Sequence, residues 1–273
     1  MKNKSWKSGA LLLALALLAT GPAVAGQQAP DGYSMPGFSP YYGPPPVHFR
    51  GNRIVSVMFR TTPEALLALL PKPLQPNPFQ LAFVYVGRLS IVGAGGGSFE
   101  YLEAGIGIPA SLGVAHENFA VCLYLNEAMP IVAGREIWGW PKKDAKITLT
   151  EKNGAISGRV ERLGSLLIEL DARLAEKTGP APAQPELPWL LQKIVPAVRQ
   201  GAPPEVQQLV VVRNVDIRNT ERWNCTASLK LDSGPEDKLG AIPVLQIVGA
   251  QLSVGDFTMG YGDVLYDYLK KSE

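Results

Sequence analysis

Two adjacent lysines, Lys142 and Lys143, follow a Trp-Pro step in the run Gly134-Arg135-Glu136-Ile137-Trp138-Gly139-Trp140-Pro141-Lys142-Lys143. Indoles this close to an ammonium group predict an apolar, π-rich setting for it. Lysine attacks a carbonyl carbon only as the neutral amine, and an ordinary pKa of about 10.4 leaves about 0.04% neutral at pH 7. Bringing that pKa to about 7 needs about 4 to 5 kcal/mol of differential destabilisation of the cation. A like charge about 8 Å away, the separation suited to neighbours on opposite faces of an extended segment, supplies only about 2 kcal/mol at an effective dielectric of about 20. Desolvation has to supply the rest. The chemistry within reach is Schiff-base formation with an oxo compound, although a Lys-Lys pair taken alone is more often a solvated surface feature.

The other reactive residue types are sparse. Two histidines, His48 and His116, and two cysteines, Cys122 and Cys225, give neither a CxxC pair nor a metal-ligand cluster nor the makings of a Ser-His-Asp triad, so no metal and no cofactor is expected. One disulfide or two buried thiols fit the cysteines equally. The run Gly93-Ala94-Gly95-Gly96-Gly97-Ser98 has no amphipathic helix after it to present an N-terminus to phosphate, and is expected to be a hairpin tip or lid.

The elements that must position the lysines read mainly as strands. Ile54–Phe59, residues 79–92, Tyr101–Pro109 with its spaced glycines, and residues 119–125 precede the lysine stretch. Thr61-Thr62-Pro63-Glu64 and the leucines after it predict a short capped helix ended by Pro71 and Pro73. Beyond the lysines, Lys152-Asn153-Gly154 marks a hairpin between residues 146–150 and 155–160. Strands are expected again over 165–174, 210–217, 223–231, 244–254 and 264–269. Trp223, Cys225, Ala227, Leu229 and Leu231 alternate with polar residues. Residues 177–208 are proline-rich and read as an insertion or lid, with a short helix over Trp189–Val195. About ten short strands with few helices predict a mainly antiparallel β fold (α+β), closed or nearly closed into a β-barrel.

Composition bounds the rest. With 273 residues, 46% apolar and 18% charged, the chain is globular. Residues 1–25 have the three parts of a secretory signal: Lys2, Lys4 and Lys7, an apolar run over 10–19, and Ala23-Val24-Ala25 before Gly26. The apolar run is shorter than the roughly 20 residues needed to span a bilayer, so cleavage near Ala25 is expected, with a secreted or periplasmic product and no membrane association after it. Removing that segment leaves 23 basic against 24 acidic residues, and no nucleic-acid footprint. An irregular arm follows over 26–46, ending in Gly43-Pro44-Pro45-Pro46, and then one domain over 47–273.

The lysine stretch resembles the signature of the acetoacetate decarboxylase family, Gly-Arg-Glu-x-x-x-aromatic-Pro-Lys-Lys, and the resemblance runs over roughly residues 47–270. Asn52-Arg53, Phe59-Arg60-Thr61, Tyr101-x-Glu103-x-Gly105-x-x-Ile108-Pro109 and Val264-Leu265-Tyr266-Asp267-Tyr268-Leu269 each look like a family segment. The resemblance implies a barrel of that family's type and a homo-oligomer. It implies Lys142 as the residue that carries the substrate imine and Lys143 as the cation beside it. Arg53 falls at an active-site arginine and Glu103 at an active-site glutamate. Both are also what a structural ion pair presents. The family's second active-site glutamate aligns with Phe83, which changes the proton inventory.

The function implied is an exported decarboxylase acting on a small-molecule β-keto acid or related oxo acid. In that reading Arg53 binds the substrate carboxylate, Glu103 positions Arg53 or relays a proton, and Phe83 and Trp140 form part of the substrate pocket. Two alternatives stand beside it: an aldolase, dehydratase or cyclase that uses the same imine on a larger oxo acid, and a secreted barrel that binds a ligand without turning it over.

Overall fold

The computed structural model describes residues 32–93, 97–179 and 187–270. The expected signal segment, the tip of the glycine run at 94–96 and the end of the chain lie outside the described residues. No helix or strand forms over 32–46, yet that arm is held by Ser34, whose hydroxyl donates to Tyr42 O, and by Tyr42, which donates to Glu136.

Fourteen strands form one sheet, with a separate two-stranded ribbon. The chain runs through β1 (Val47–Arg60), α1 (Pro63–Leu69), β2 (Gln75–Pro76), β3 (Leu81–Val92), β4 (Ser98–Leu112) and β5 (Ala115–Leu125). There follow α2 (Ala128–Ala133), a π-helical turn (Gly134–Trp138), β6 (Lys142–Asp144), β7 (Lys146–Lys152), β8 (Ala155–Arg162), β9 (Ser165–Lys177) and β10 (Trp189–Val195). The last part is β11 (Val206–Val212), β12 (Asn214–Leu231), the ribbon β13 (Ser233–Gly234) and β14 (Asp237–Lys238), a 3₁₀ turn, β15 (Gln246–Met259) and β16 (Asp263–Asp267). Local chemistry explains the ends. Thr62 caps α1 by accepting from Ala65 N, and Asn153 and Gly154 take the positive φ values of 51° and 74° that the β7–β8 hairpin requires.

The strand order β16-β11-β10-β5-β4-β3-β1-β15-β12-β9-β8-β7 is an open path, which corrects the expectation of a closed or nearly closed barrel. A barrel needs its two edge strands to exchange backbone hydrogen bonds. Here the sheet folds over so that its halves meet face to face, with β7 packed against β3, β4 and β5. On β8, Gly158 lies so near β3 that a Cβ there would stand 3.1 Å from Val86 Cγ2. The main core fills the space between the halves, with Val55, Val57, Phe59, Val84, Val86, Ile106, Tyr124, Ile168 and Leu170 all buried. Residues 189–195 are a strand and not the short helix expected. Trp189 and Leu190 pair in parallel with Asn118 and Phe119, and the whole of β10 pairs with β11. Leu190 and Leu191 are both fully buried, on opposite sides of the strand, so a continuous apolar run belongs to a strand covered on both faces.

Candidate active site

The edge of β5 builds the site. Its first half pairs with β10 through Asn118 and Phe119, and its second half with β6 through Leu123, Tyr124 and Leu125. Trp189 and Lys142 therefore follow one another along a single strand edge. The route into β6 is α2 and the π-helical turn, a widened turn of the sort found at functional sites. Gly139 leaves that turn at φ 88°, and a Cβ there would lie 2.5 Å from Lys193 Cβ, so glycine is required on both counts. Lys193 donates to Ile137 O at 2.8 Å, Arg135 donates to Lys142 O at 3.1 Å, and Trp138 donates to Gly260 O at 2.9 Å. These bonds fix the turn from three sides. Gly134 serves the lysine directly: a Cβ there would lie 2.8 Å from Lys142 Cδ and 3.0 Å from Cε. The first glycine of the Gly-Arg-Glu run is the groove through which the side chain passes.

Lys142 and Lys143 point to opposite sides of β6. The Lys142 ammonium is buried 3.1 Å from Glu103 Oε2, with each side chain 7% exposed. It lies 5.9 Å from the centre of the Tyr101 ring and 6.0 Å from that of Trp140. The other Glu103 oxygen accepts from the Tyr85 hydroxyl at 2.7 Å. Burial, with Glu103 nearby, pushes the Tyr85 and Tyr101 phenols well above their ordinary pKa, so both keep their protons. Tyr85 is therefore a fixed donor to the carboxylate.

Lys143 faces the main core side, where its Nζ donates to Asp237 Oδ1 at 2.7 Å and to Glu236 O at 3.1 Å. Tyr124 and Arg162 donate to the same buried Asp237. Burial pushes the Asp237 carboxyl up, but the hydrogen bonds from Lys143, Tyr124 and Arg162 outweigh it and hold the group below its ordinary value. Lys143, expected as the cation beside Lys142, has its charge paired with Asp237 on the reverse face.

Arg53 is also placed elsewhere than expected. It forms a two-pronged ion pair with Glu151, 2.7 Å and 2.5 Å, on the face of β1 that carries Val55 and Val57. The reason is strand parity. A bulge at Arg50-Gly51, with Gly51 at φ 63°, shifts the register between Phe49 and Asn52. Phe49 and Asn52 thus both line the cavity with Ile54, while Arg53 is turned away, and the substrate-binding and catalytic roles expected of it find no support in its position.

A cavity of about 620 Å³ opens over Lys142 and Glu103. Phe83, Tyr85, Trp140 and Trp189 form its aromatic wall, with Trp189 edge-on to Phe83 at 5.7 Å, to Tyr85 at 6.5 Å and to Trp140 at 5.4 Å. The spaced glycines of β4 face this wall. Gly105 pairs with Tyr85 and Gly107 with Phe83, and a Cβ at either would lie within 2.6 Å of the opposing ring. Phe83 and Trp140, expected in the pocket, line it. Tyr85, Tyr101 and Trp189 line it as well, and were not picked out as site residues from the sequence. The Phe83/Gly107 and Tyr85/Gly105 pairing is a signal that could have found the first, whereas the helix reading of 189–195 hid the third. Among the described lining residues, Lys142 is the one cationic group. An amine, a carboxylate and a phenol in contact under an aromatic roof can do addition to a carbonyl with proton transfer.

A family profile described as Acetoacetate decarboxylase (ADC) matches residues 34–269. The chain is 31% identical to acetoacetate decarboxylase 2 of Mesorhizobium japonicum, over 88% of this chain and 91% of that one. It is 32% identical to the acetoacetate decarboxylase of Burkholderia vietnamiensis, over 87% and 95%. A solved acetoacetate decarboxylase superposes with a TM-score of 0.78 at 24% identity, over 89% of this chain and 98% of that one. The enduracididine biosynthesis enzyme MppR, in complex with the condensation product of pyruvate and imidazole 4-carboxaldehyde, superposes with the same score at 22% identity, over 89% and 99%. The fold, the family profile and the relatives agree, and the chain belongs to the acetoacetate decarboxylase family.

Proposed function

We propose that this protein is a Schiff-base-forming carbon-carbon lyase that releases carbon dioxide from a β-keto acid or a related oxo acid. The observation that carries the reading is the buried contact between Lys142 and Glu103 at the wall of the cavity. Moving one proton from Nζ to Glu103 leaves a neutral amine and a neutral carboxylic acid, with no net change in buried charge. The amine adds to the ketone carbon, and the carbinolamine loses its hydroxyl as water, Glu103 giving back the proton it took, to leave a protonated imine. The bond between the carboxylate carbon and the α-carbon then breaks, its electron pair passes to the iminium nitrogen, and carbon dioxide leaves an enamine. A proton taken up from water through Glu103, the nearest acid, protonates the α-carbon, and addition of water to the resulting iminium returns the ketone and the free Lys142. With Arg53 turned away, no guanidinium among the described lining residues pairs with the substrate carboxylate, which favours loss of its charge as carbon dioxide.

A second reading, aldol, dehydration or cyclisation through the same imine, draws support from Phe83, which stands where the resemblance places a second glutamate. The condensation product held by MppR, a neighbour in fold, points the same way. Residues 1–25 further support export and cleavage near Ala25, and the family supports a homo-oligomer. The reaction is tested by incubating the mature protein with 3-oxobutanoate and measuring carbon dioxide and acetone. The decarboxylase reading expects both, and their loss in Lys142→Met. Turnover of an oxo acid and an aldehyde without carbon dioxide selects the second reading, and equal activity of Lys142→Met rejects both.

A further inference from the structure

The cavity is far longer than a four-carbon oxo acid, and its far end has its own chemistry. One row of paired residues crosses the sheet beneath it. Lys142 pairs with Leu123, Leu123 with Gly105, and Gly105 with Tyr85. The row continues from Tyr85 to Ser56, to Gln251 and to Asn224. Tyr85 touches Glu103, so it marks the reacting end. Three strand spacings separate Tyr85 from Asn224, about 14 Å of cavity floor, against about 5 Å for 3-oxobutanoate at ordinary bond lengths.

Along that floor the hydroxyls and carboxamides of Ser56, Ser253, Gln251, Asn219 and Asn224 stand among the apolar Ile54, Met58 and Ala250. Gln251 and Asn224 are exposed, so this end opens to solvent. No guanidinium or second ammonium lines the cavity among the described residues, and Asp256 adds a carboxylate, its Oδ1 held by Gly51 N at 2.8 Å. An anionic tail meets no partner here and one like charge. A neutral tail that donates and accepts hydrogen bonds meets several.

The geometry points to a substrate class: a 3-oxo acid whose ketone carries an aromatic or unsaturated segment and then an uncharged, hydrogen-bonding tail, the segment and tail together about ten non-hydrogen atoms. This rests on the imine reading of Lys142. The aromatic segment lies between Phe83, Tyr85 and Trp189, and the tail ends at Gln251 and Asn224.

The test compares three acids on the full mature chain: 3-oxobutanoate, a 3-aryl-3-oxo acid ending in a carboxamide, and its analogue ending in a carboxylate. The carboxamide acid is expected to exceed 3-oxobutanoate in kcat/KM by about tenfold or more, chiefly through KM, and the carboxylate analogue to lose most of that gain. Gly249 provides the variant. It lines the floor opposite Met58, and a Cβ there meets no atom within 4 Å, so Gly249→Leu starts its side chain in open space and reaches into the trough. It should lower the long-to-short ratio by about tenfold, and Gln251→Ala should lower the carboxamide-to-carboxylate ratio. Ratios near one in the parent chain, with a reducible adduct forming on Lys142 from 3-oxobutanoate, overturn the substrate class and leave the imine reading intact. No adduct on Lys142 from any of the three acids overturns the imine reading and the substrate class with it.

Discussion

Gly134 has an α-helical conformation, φ −61° and ψ −43°, in which alanine is ordinarily the better residue by about 1 kcal/mol. Its reason for being glycine is Lys142, whose Cδ and Cε occupy the place of a Cβ. Gly134→Ala should therefore leave the unfolding midpoint nearly unchanged, because the flexible lysine can move aside, while imine formation falls by about tenfold or more as the amine is displaced. Denaturant unfolding and borohydride trapping on the same preparation check the two halves. Gly107→Ala differs because the group in the way is a rigid ring: its Cβ would lie 2.3 Å from Phe83 Cζ. It should cost about 1 to 3 kcal/mol of stability. Much at this scale was legible in the sequence. Lys142 and Glu103 were each picked out through the resemblance, but Glu103 was expected to position Arg53 or relay a proton, and it meets Lys142 instead. Arg53 was carried over from the resemblance alone, and the resemblance does not record the bulge at Arg50-Gly51, after which Asn52 and Ile54 line the cavity and Arg53 meets Glu151.

At the scale of elements, β6 is only three residues long, yet it carries Lys142, the amine proposed to form the imine. It is pinned by parallel pairing with β5 on one edge and by Lys143 bonded to Asp237 on the reverse face. Asp237→Asn should cost about 2 to 4 kcal/mol, less than the full cost of breaking a buried pair because Lys143 is 36% exposed. The acid dependence has a definite sign. The folded carboxyl is held below the unfolded value of about 3.8, so its contribution is fully present above pH 4 and is lost as pH falls through the folded pKa. Unfolding measured at pH 7 and again below pH 3 should show the gap between the parent chain and Asp237→Asn closing at the lower pH. A gap that stays constant contradicts the assignment. Sequence could give the strand alternation of Lys142 and Lys143 but not the distant partner, since Asp237 comes from a two-residue ribbon with no periodicity to read.

For the whole molecule, one large sheet folded on itself creates the core on one side of β1, β3 and β4 and the cavity on the other. Most strands were readable from alternation, because each has one face on a core and one elsewhere. Closure was not readable: it depends on whether edge strands meet, and no local pattern records that. Cys122 and Cys225 are both free thiols in contact with the main core. Burial pushes the Cys122 thiol up to about 12, so it should resist alkylation in the folded protein and react only on unfolding. Mass spectrometry after alkylation with and without denaturant reads this out, and intact mass under non-reducing conditions should fit two free thiols. Export is a claim about the whole chain too: the secreted or periplasmic form should begin at Gly26 by N-terminal sequencing.

Whether Lys142 forms a covalent imine is read directly by reduction with borohydride in the presence of a 3-oxo acid, followed by peptide mass mapping. A single reduced adduct is expected, carried by Lys142 and absent from Lys142→Met. An adduct on another lysine, or none with the folded protein across a panel of oxo acids, would contradict the imine reading.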